Sequence, residues 1–483
     1  MNHEEIIVNT TRRVAKNTGA LIAGTIISKL CLLVFLAIAA RYIGPEGFGK
    51  YTFALSFAAL FIVLGDMGLD MLAIREVARD RTLISKYLGN IAILKTILSA
   101  IAVGIIFLVI NLLNYPLDTT KIVYIIGISV FFSSLSTALR WCFQAFQKME
   151  YEALVNAAQG IILLGLGLAI LYLGKGLIGL AFAHLLTSVI IFFFSFLITI
   201  KKFAKPKFEI NFGFWKFLLK TAVPIGLMSV FVTVYFNTNT VLLSLMKGDA
   251  PAGWYNAGYK LIDAIKFIPA MLALAVFPAM SEFYKSSIET SQKVLRKSIQ
   301  YVFLLALPMA IGTTILSYKI IPIIWGQEFS QAISVLQILI WVAALSFIST
   351  IIHHYLIATN QQKVPIYTIG AGLILNIFLN LTLIPKFSYL GSSIAILMAQ
   401  FAIFFFVIFY IFKYLKINPF PKQTFNILMA AALMGGFTWF IKDFNLFLVV
   451  SSSALFYFFL LILLKGIQKS DLNLIKQVFS VSK

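Results

Sequence analysis

Charged and histidine side chains stand inside long apolar stretches of this 483-residue chain, and they are the residues best able to do chemistry. An ionisable group inside an apolar span costs about 2.5–3.5 kcal/mol, so it normally faces a partner or a wet cavity. Binding a charged substrate and coupling its movement to an ion are the two roles that follow. The candidates are Lys29, Asp66, Asp70, Lys95, Lys260, Asp263, Lys266, His353 and His354.

Asp66 and Lys95 lie on successive apolar segments. If both segments cross a membrane, each residue lies about one third of the way across it from the cytoplasmic side. They can form a structural ion pair, or Lys95 can line a cavity in which Asp66 tunes or couples it. Asp70 is one helical turn from Asp66, and we expect it to be a solvated neighbour of Arg75.

Lys260, Asp263 and Lys266 follow one another at spacings of three residues. On a helix Asp263 can reach either lysine, which leaves one positive charge. A surplus cation inside a membrane indicates that an anionic substrate binds there. The alternative is that the lysines extend to the outer interface, and this fits Lys260 best.

Amides and histidines supply weaker candidates. Asn237 and Asn239 suit sugar hydroxyls or helix-to-helix hydrogen bonds, and the pair Asn376 and Asn380 has the same two interpretations. His353 and its neighbour His354 cannot both face the protein interior, and His353 is a candidate proton sensor.

The same survey argues against an enzyme. We find no metal-ligand spacing, no phosphate-binding P-loop and no carboxylate pair on an outer connection, so no cofactor or metal is predicted. Cys31 and Cys142 both fall inside apolar runs without a CxxC pair. A membrane glycosyltransferase stays a remote alternative, since it should carry catalytic acids beside a substantial outer loop.

The elements that position these residues are membrane helices. Hydrophobic residues make up 60% of the chain and charged residues 12%, so water cannot be the solvent for most of its surface. The net charge of +21 comes from Lys and Arg residues that lie mostly between apolar runs, which argues against nucleic-acid binding. Apolar windows predict about 14 transmembrane helices, the first of them uncleaved. They lie near 18–40, 51–73, 88–111, 120–142, 154–173, 177–200, 217–246, 256–281, 298–324, 332–357, 364–384, 390–413, 422–441 and 445–465.

The distribution of basic residues predicts the orientation. The two termini and the even-numbered connections carry about 27 Lys and Arg residues, against about 8 in the odd-numbered ones. Both termini are therefore predicted to be cytoplasmic. The short outer connections suit a multi-pass protein of a prokaryotic plasma (inner) membrane.

An internal repeat appears when the two halves are overlaid with an offset of about 204 residues. Residues 44–51 match residues 248–255, and residues 176–181 echo residues 388–393 more weakly. The repeat predicts two parallel six-helix bundles, 1–203 and 204–415, related by a pseudo-twofold axis normal to the membrane. Residues 416–483 are then two additional helices and a cytoplasmic tail.

Short motifs are distributed along nearly the whole chain. They are Asn17-Thr18, Ser28-Lys29, Arg41-Tyr42-Ile43-Gly44-Pro45, Phe48-Gly49-Lys50-Tyr51, Gly68-Leu69, Arg75, Pro224, Tyr255-Asn256-Ala257-Gly258-Tyr259-Lys260, Pro278, Ser281-Glu282, Asn380, Leu383-Ile384-Pro385 and Gly391. Together these motifs resemble the polysaccharide flippase family. The resemblance implies an all-α, MATE-like oligosaccharide translocase of the multidrug, oligosaccharidyl-lipid and polysaccharide exporter superfamily.

Such proteins move polyprenyl-diphosphate-linked sugar repeats to the outer leaflet by alternating access. The resemblance implies membrane lipids as surroundings, and glycosyltransferases or a polymerase of the same pathway as partners. Helices 13 and 14 could hold the prenyl tail, by analogy with the lipid II flippase branch. The implied cavity has Lys29, Arg41, Lys95, Lys260 and Lys266 for the diphosphate, Asn237 and Asn239 for sugars, and Asp66, Asp263 and His353 as coupling or ion-pair groups.

Two rival functions remain within the superfamily. A multidrug or ion-coupled exporter should carry acidic residues for cationic drugs, whereas the buried balance here is basic. A lipid II flippase would share the diphosphate. No ATP site is present, so energy must come from an ion gradient, the membrane potential or downstream consumption of the product.

Overall fold

The computed structural model describes residues 3–207, 209–420 and 423–466, and the regular structure of these residues is entirely helical. Short 3-10 turns lie at Arg81–Leu83 and Gln327–Phe329. The end of the predicted cytoplasmic tail, 467–483, lies outside the described residues. The helices are α1 (His3–Asp66), α2 (Leu69–Arg79), α3 (Ile84–Leu112), α4 (Leu117–Ala145), α5 (Met149–Tyr172), α6 (Gly176–Lys202), α7 (Phe212–Lys247), α8 (Asp249–Ile265), α9 (Phe267–Ser286), α10 (Ile288–Trp325), α11 (Ala332–Ala358), α12 (Lys363–Tyr414), α13 (Thr424–Phe440) and α14 (Leu446–Leu463).

Ten helical stretches among these residues are long and apolar enough to cross a membrane. Two of them, α1 and α12, each join two helices across a non-helical residue, Gly44 and Ser388. Large apolar side chains such as Phe193 and Phe405 stay exposed, as lipid contact requires. The chain is a multi-pass, all-α membrane protein, while the count of 14 spans stays a prediction.

Two helices that hydropathy predicts to be continuous are interrupted. The predicted helix 51–73 breaks after Asp66, because Met67 and Gly68 have φ angles of 42° and 86°. The predicted helix 256–281 divides into α8 and α9 at Lys266. Both breaks lie inside apolar windows, so hydropathy carries no sign of them.

The repeated segments share a backbone conformation at equivalent positions. Gly44 has φ 68° and ψ 178°, and Gly248, 204 residues later, has φ 86° and ψ −177°. The weaker echo pairs Gly176, with φ 59°, and Ser388, with φ 52°. These φ values are strained for most side chains, so the same turn is built at matching points of the duplication.

The first pair of repeated segments also packs together reciprocally. A β-carbon on Gly49 would lie 1.8 Å from the carbonyl oxygen of Asp249, and one on Gly253 would lie 2.0 Å from that of Pro45. Gly49 and Gly253 are equivalent in the repeat, as are Pro45 and Asp249. The contact therefore has the twofold character that the duplication predicts, and it depends on glycine at both positions.

The chain divides into two compact units, residues 1–256 and 257–483. In the first, buried side chains of α2, α3, α4 and α7 form one apolar core. In the second, α11 packs against α9, α10 and α12, and α13 packs against α10 and α14. The predicted bundle limits at 203 and 415 follow the repeat and stay predictions.

Candidate functional site

The most completely enclosed charge in the first unit is Lys95 of α3. Its side chain is 0% exposed, and its Nζ donates to Asp66 Oδ1 at 2.9 Å and to Asp70 Oδ2 at 2.8 Å. A third bond of 2.9 Å reaches Thr137 Oγ1 on α4. All three ammonium donors are thus satisfied, which is the condition for keeping a lysine in an apolar interior.

The break between α1 and α2 places the two carboxylates around this ammonium. Asp66 is the last residue of α1 and Asp70 lies in the first turn of α2. The amino end of α2 favours the Asp70 carboxylate, whereas the carboxyl end of α1 disfavours the Asp66 carboxylate, so Asp66 depends on the ammonium group of Lys95. Gly68 is held against α7, where a β-carbon would lie 2.5 Å from the backbone nitrogen of Gly226.

Hydrogen bonds between serine side chains fix α4, which carries Thr137. Ser129 pairs with Ser188 and Ser136 with Ser195, each at 2.9 Å, joining α4 to α6. Hydroxyl pairs of this kind hold membrane helices together because lipid offers them no other partner.

The expectation that Asp70 is a solvated neighbour of Arg75 is wrong. Arg75 Nε donates instead to Glu76 at 2.8 Å. Asp70 instead contacts Lys95 Nζ through Oδ2, at 2.8 Å. The ion pair between Asp66 and Lys95, the first of the two alternatives predicted for these residues, is present. The carboxylate of Asp70 also takes part in it.

This cluster has two carboxylates and one ammonium, so its formal charge is −1. Asp70 Oδ1 is buried with no hydrogen-bond partner among the described residues. In this conformation Lys95 is neutralised and enclosed, which suits a structural or coupling role. Its placement in a substrate cavity stays a prediction.

The second unit holds a looser charged group around the junction of α8 and α9. Lys266 Nζ lies 4.0 Å from Asp263 Oδ1, and the side chains are 19% and 33% exposed. Lys266 also donates to the Tyr259 hydroxyl at 3.0 Å and lies 4.4 Å from the centroid of its ring. Lys260 lies 5.9 Å from the same centroid. Two half-buried cations thus lie near one tyrosine, and Lys266 also lies near Asp263.

The remaining predicted cavity residues of the first unit are held differently. Asn239 is fully buried and donates to the Tyr235 carbonyl oxygen at 3.2 Å, and the half-buried Asn237 donates to that of Thr233 at 2.8 Å. Both amides therefore bond within α7. Lys29 is half-buried and Arg41 is exposed, both on α1.

The polar residues of the second unit lie deep. His353 of α11 is 7% exposed, and its Nε2 lies 3.4 Å from Thr368 Oγ1 on α12. Asn380 donates to the carbonyl oxygen of Asn376 at 2.7 Å and to its side chain at 2.9 Å. The proton-sensing role of His353 stays a prediction.

Sequence reasoning missed one buried ion pair. Arg140 of α4 contacts the Glu152 carboxylate of α5 through both Nε and a terminal nitrogen, and it also bonds Asn156. Arg140 and Glu152 flank the ends of apolar windows, which made them look like interfacial residues. An arginine inside the window 120–142 was the available signal.

Comparison with known proteins decides the family. The model of the family described as "Polysaccharide biosynthesis protein" matches residues 14–284, more than half of the chain. The chain belongs to this family of polysaccharide biosynthesis proteins. A second model, MatE, matches residues 224–382, in the half where the repeat begins again.

Relatives of this polysaccharide biosynthesis protein carry transport or polysaccharide names. It is 25% identical to the capsular polysaccharide biosynthesis protein CapF of Staphylococcus aureus, across 80% of this chain and 96% of that protein. It is 23% identical to the putative O-antigen transporter of Shigella flexneri, across 79% and 94%. A probable flippase of Haloferax volcanii, AglR, is 22% identical across 52% of this chain and only 53% of its own length. A second, Agl15, is 26% identical across 32% of this chain and 34% of its own length.

Solved structures support the fold. The polysaccharide biosynthesis protein superposes on the lipid II flippase MurJ in an inward closed conformation with a TM-score of 0.77, covering 94% of this chain and 99% of the other at 17% identity. An inward-facing MATE multidrug transporter gives a TM-score of 0.65, covering 79% and 93% at 15% identity. At such identities the likeness concerns the fold alone.

Proposed function

We propose that this protein is a flippase for a polyprenyl-diphosphate-linked oligosaccharide, an O-antigen, capsule or exopolysaccharide repeat unit, which it moves from the cytoplasmic to the outer leaflet. The observation that carries the proposal is the excess of lysine over aspartate at the junction of α8 and α9, in a chain of a polysaccharide biosynthesis family. The names of the relatives agree with a transport role.

A diphosphate needs cations on its way through hydrocarbon. Lys260 and Lys266 are half-buried, and Lys266 Nζ lies 4.0 Å from Asp263 Oδ1, so we assign the diphosphate to these two lysines. The amino end of α9 adds a favourable dipole. Both ammonium groups lie near the Tyr259 ring, at 5.9 Å for Lys260 and 4.4 Å for Lys266 from its centroid.

The prenyl tail needs an apolar surface. In the second unit, α10, α13 and α14 surround an apolar cavity of about 320 Å³. Its walls include Leu305, Pro308, Leu316, Met434, Val450 and Tyr457. We assign the tail to this cavity, which uses the two helices that the repeat leaves over.

Alternating access requires a contact that opens and closes. The reciprocal contact of Gly49 and Gly253 is a candidate seal on the side that the lysine distribution predicts to be outer. The same distribution assigns the protein to a plasma membrane with cytoplasmic termini, where glycosyltransferases or a polymerase would be its pathway partners. The energy source is an ion gradient, the membrane potential or consumption of the product.

Translocation in proteoliposomes tests the proposal. The native protein should move a labelled polyprenyl-diphosphate oligosaccharide, and Lys266→Gln should slow the movement about tenfold, as loss of one desolvated charge contact predicts. Lys386→Gln is the matched control, since Lys386 is an exposed lysine of α12. Equal rates in all three proteins would contradict the role of Lys266.

A cationic-drug exporter is the second candidate, because the MatE model matches residues 224–382. Such a protein would bind cations through carboxylates, of which Asp66 and Asp70 are the enclosed pair here. Export of a cationic dye without movement of the lipid-linked sugar would favour this candidate.

A further inference from the structure

A second apolar cavity of about 320 Å³ lies between the two arms of α12 in the second unit. One wall is formed by Val364, Tyr367, Thr368 and Ala371, spaced as one helix face, and the other by Phe406, Phe409 and Tyr410. Tyr367, Phe406 and Phe409 are all exposed, so the cavity opens sideways to lipid.

The cavity exists because the two arms separate toward their ends. At Gly372 they are in close contact, since a β-carbon there would lie 2.4 Å from the side chain of Ile403. Beyond this point the small Ala371 faces the large Phe406 and Phe409. Tyr410 donates a hydrogen bond to Gln361, which links the second arm to the turn that precedes α12.

Three lysines lie close in the chain to the residues that line the cavity. Lys363 is the first residue of α12, and Lys413 lies in its last turn with Nζ 5.3 Å from the centroid of the Phe409 ring, which lines the cavity. Lys416 follows two residues after the helix ends, and all three lysines are exposed. The sequence between Glu328 and Asp443 contains no aspartate or glutamate.

We infer that this cavity binds one acyl chain of an anionic phospholipid, with the lipid phosphate held by Lys413 and Lys363. The apolar walls exclude a free phosphate ion, and the lysines distinguish an anionic lipid from a zwitterionic one. Basic pockets between membrane helices bind anionic head groups in this way. The lysine distribution places the site in the cytoplasmic leaflet, where such lipids carry the negative surface potential.

Native mass spectrometry of the purified full chain, titrated with phosphatidylglycerol or phosphatidylcholine, tests the inference. Native protein and Lys386→Gln should bind phosphatidylglycerol more tightly than phosphatidylcholine. Lys413→Gln should weaken phosphatidylglycerol binding about fivefold, the factor expected for one interfacial lysine. Ala371→Trp, which fills the cavity, should remove the tightest site, and Lys413→Gln decides the matter if that variant fails to fold.

Three results would overturn the inference. Equal affinity of Lys413→Gln and Lys386→Gln would show that Lys413 does not contact the lipid. Equal affinity for the two phospholipids would remove the charge argument. Displacement of phosphatidylglycerol by a polyprenyl phosphate at the same concentration would assign the cavity to the cargo.

Discussion

Lys95 in the first unit and Lys266 in the second are both lysines inside a membrane body, but they are held in opposite ways. Lys95 is fully enclosed, with two carboxylates and a hydroxyl within 2.9 Å of its Nζ. Lys266 keeps 19% of its side chain exposed, and its aspartate is 4.0 Å away. Two lysines that both lie in apolar segments of the sequence therefore have different surroundings in the structure.

The number of carboxylates near each lysine distinguishes the two groups. Around Lys95 the carboxylates outnumber the cation, so no anion is attracted to this conformation of the cluster. Near Tyr259 lie two lysines and Asp263, and we propose that an anion binds there. We expect substitutions at Lys95 to act first on folding, and substitutions at Lys266 to act first on transport.

The largest effect is expected from Lys95→Ala. The substitution leaves Asp70, whose side chain is 21% exposed, and Asp66, 38% exposed, without a counter-charge, so the free energy of unfolding should fall by about 3 kcal/mol. Thermal unfolding in detergent, followed by intrinsic fluorescence, measures this. Combining Lys95→Met with Asp66→Asn and Asp70→Asn should restore most of the stability, and a single variant as stable as the native protein would contradict the account.

Gly68→Ala should have the next largest effect. It forces a side chain into a left-handed backbone and against Gly226, so we expect a loss of about 2–3 kcal/mol. Gly174→Ala is the matched control, since Gly174 has φ 67° with nothing within 4 Å of a β-carbon. The control should lose only about 1 kcal/mol. Equal losses in urea unfolding would mean that the contact with α7 does not hold the break.

Thr137→Val tests the third bond of Lys95. It replaces the hydroxyl with a methyl group of similar size, and hydrogen bonds between membrane side chains contribute about 0.6–1 kcal/mol. The melting temperature should therefore fall slightly, and the drop should vanish in the Lys95→Met triple variant. A drop that persists there would show that Thr137 acts through another contact.

Lys266→Gln should change stability least, by less than about 0.5 kcal/mol, because the side chain is partly exposed and its ion pair is long. Transport should nevertheless fall. Measuring melting temperature and translocation on the same preparation separates the two effects. A large loss of stability would make Lys266 a second structural lysine and remove the contrast with Lys95.

Much of the fold could be predicted from the sequence, for identifiable reasons. Apolar windows are set by the thickness of the bilayer, so most helices fall where hydropathy places them. The matching conformations of Gly44 and Gly248 follow from a repeat that is visible in the sequence. The helix break after Asp66 could not be predicted, because Met67 is apolar and Gly68 is common in membrane helices.

The candidate site was predictable in its residues and less so in its contacts. Asp66 and Lys95 stand out by charge alone, whereas Asp70 was assigned to the nearby Arg75 and contacts Lys95 instead. Arg140 and Glu152 were missed because they lie near the ends of apolar windows, where charges are normally solvated. Charged residues in apolar segments can be found in the sequence, whereas their contact partners are known only from the structure.

The most direct test of the account is the dependence of transport on the charge of the carrier. One labelled oligosaccharide would be presented to the protein in proteoliposomes on a polyprenyl diphosphate and on a neutral polyprenyl alcohol. We predict that the native protein moves the diphosphate-linked sugar much faster, and that Lys260→Gln combined with Lys266→Gln removes the preference. Equal movement of both carriers by the native protein would contradict a flippase that recognises its cargo through the lysines of α8 and its junction with α9.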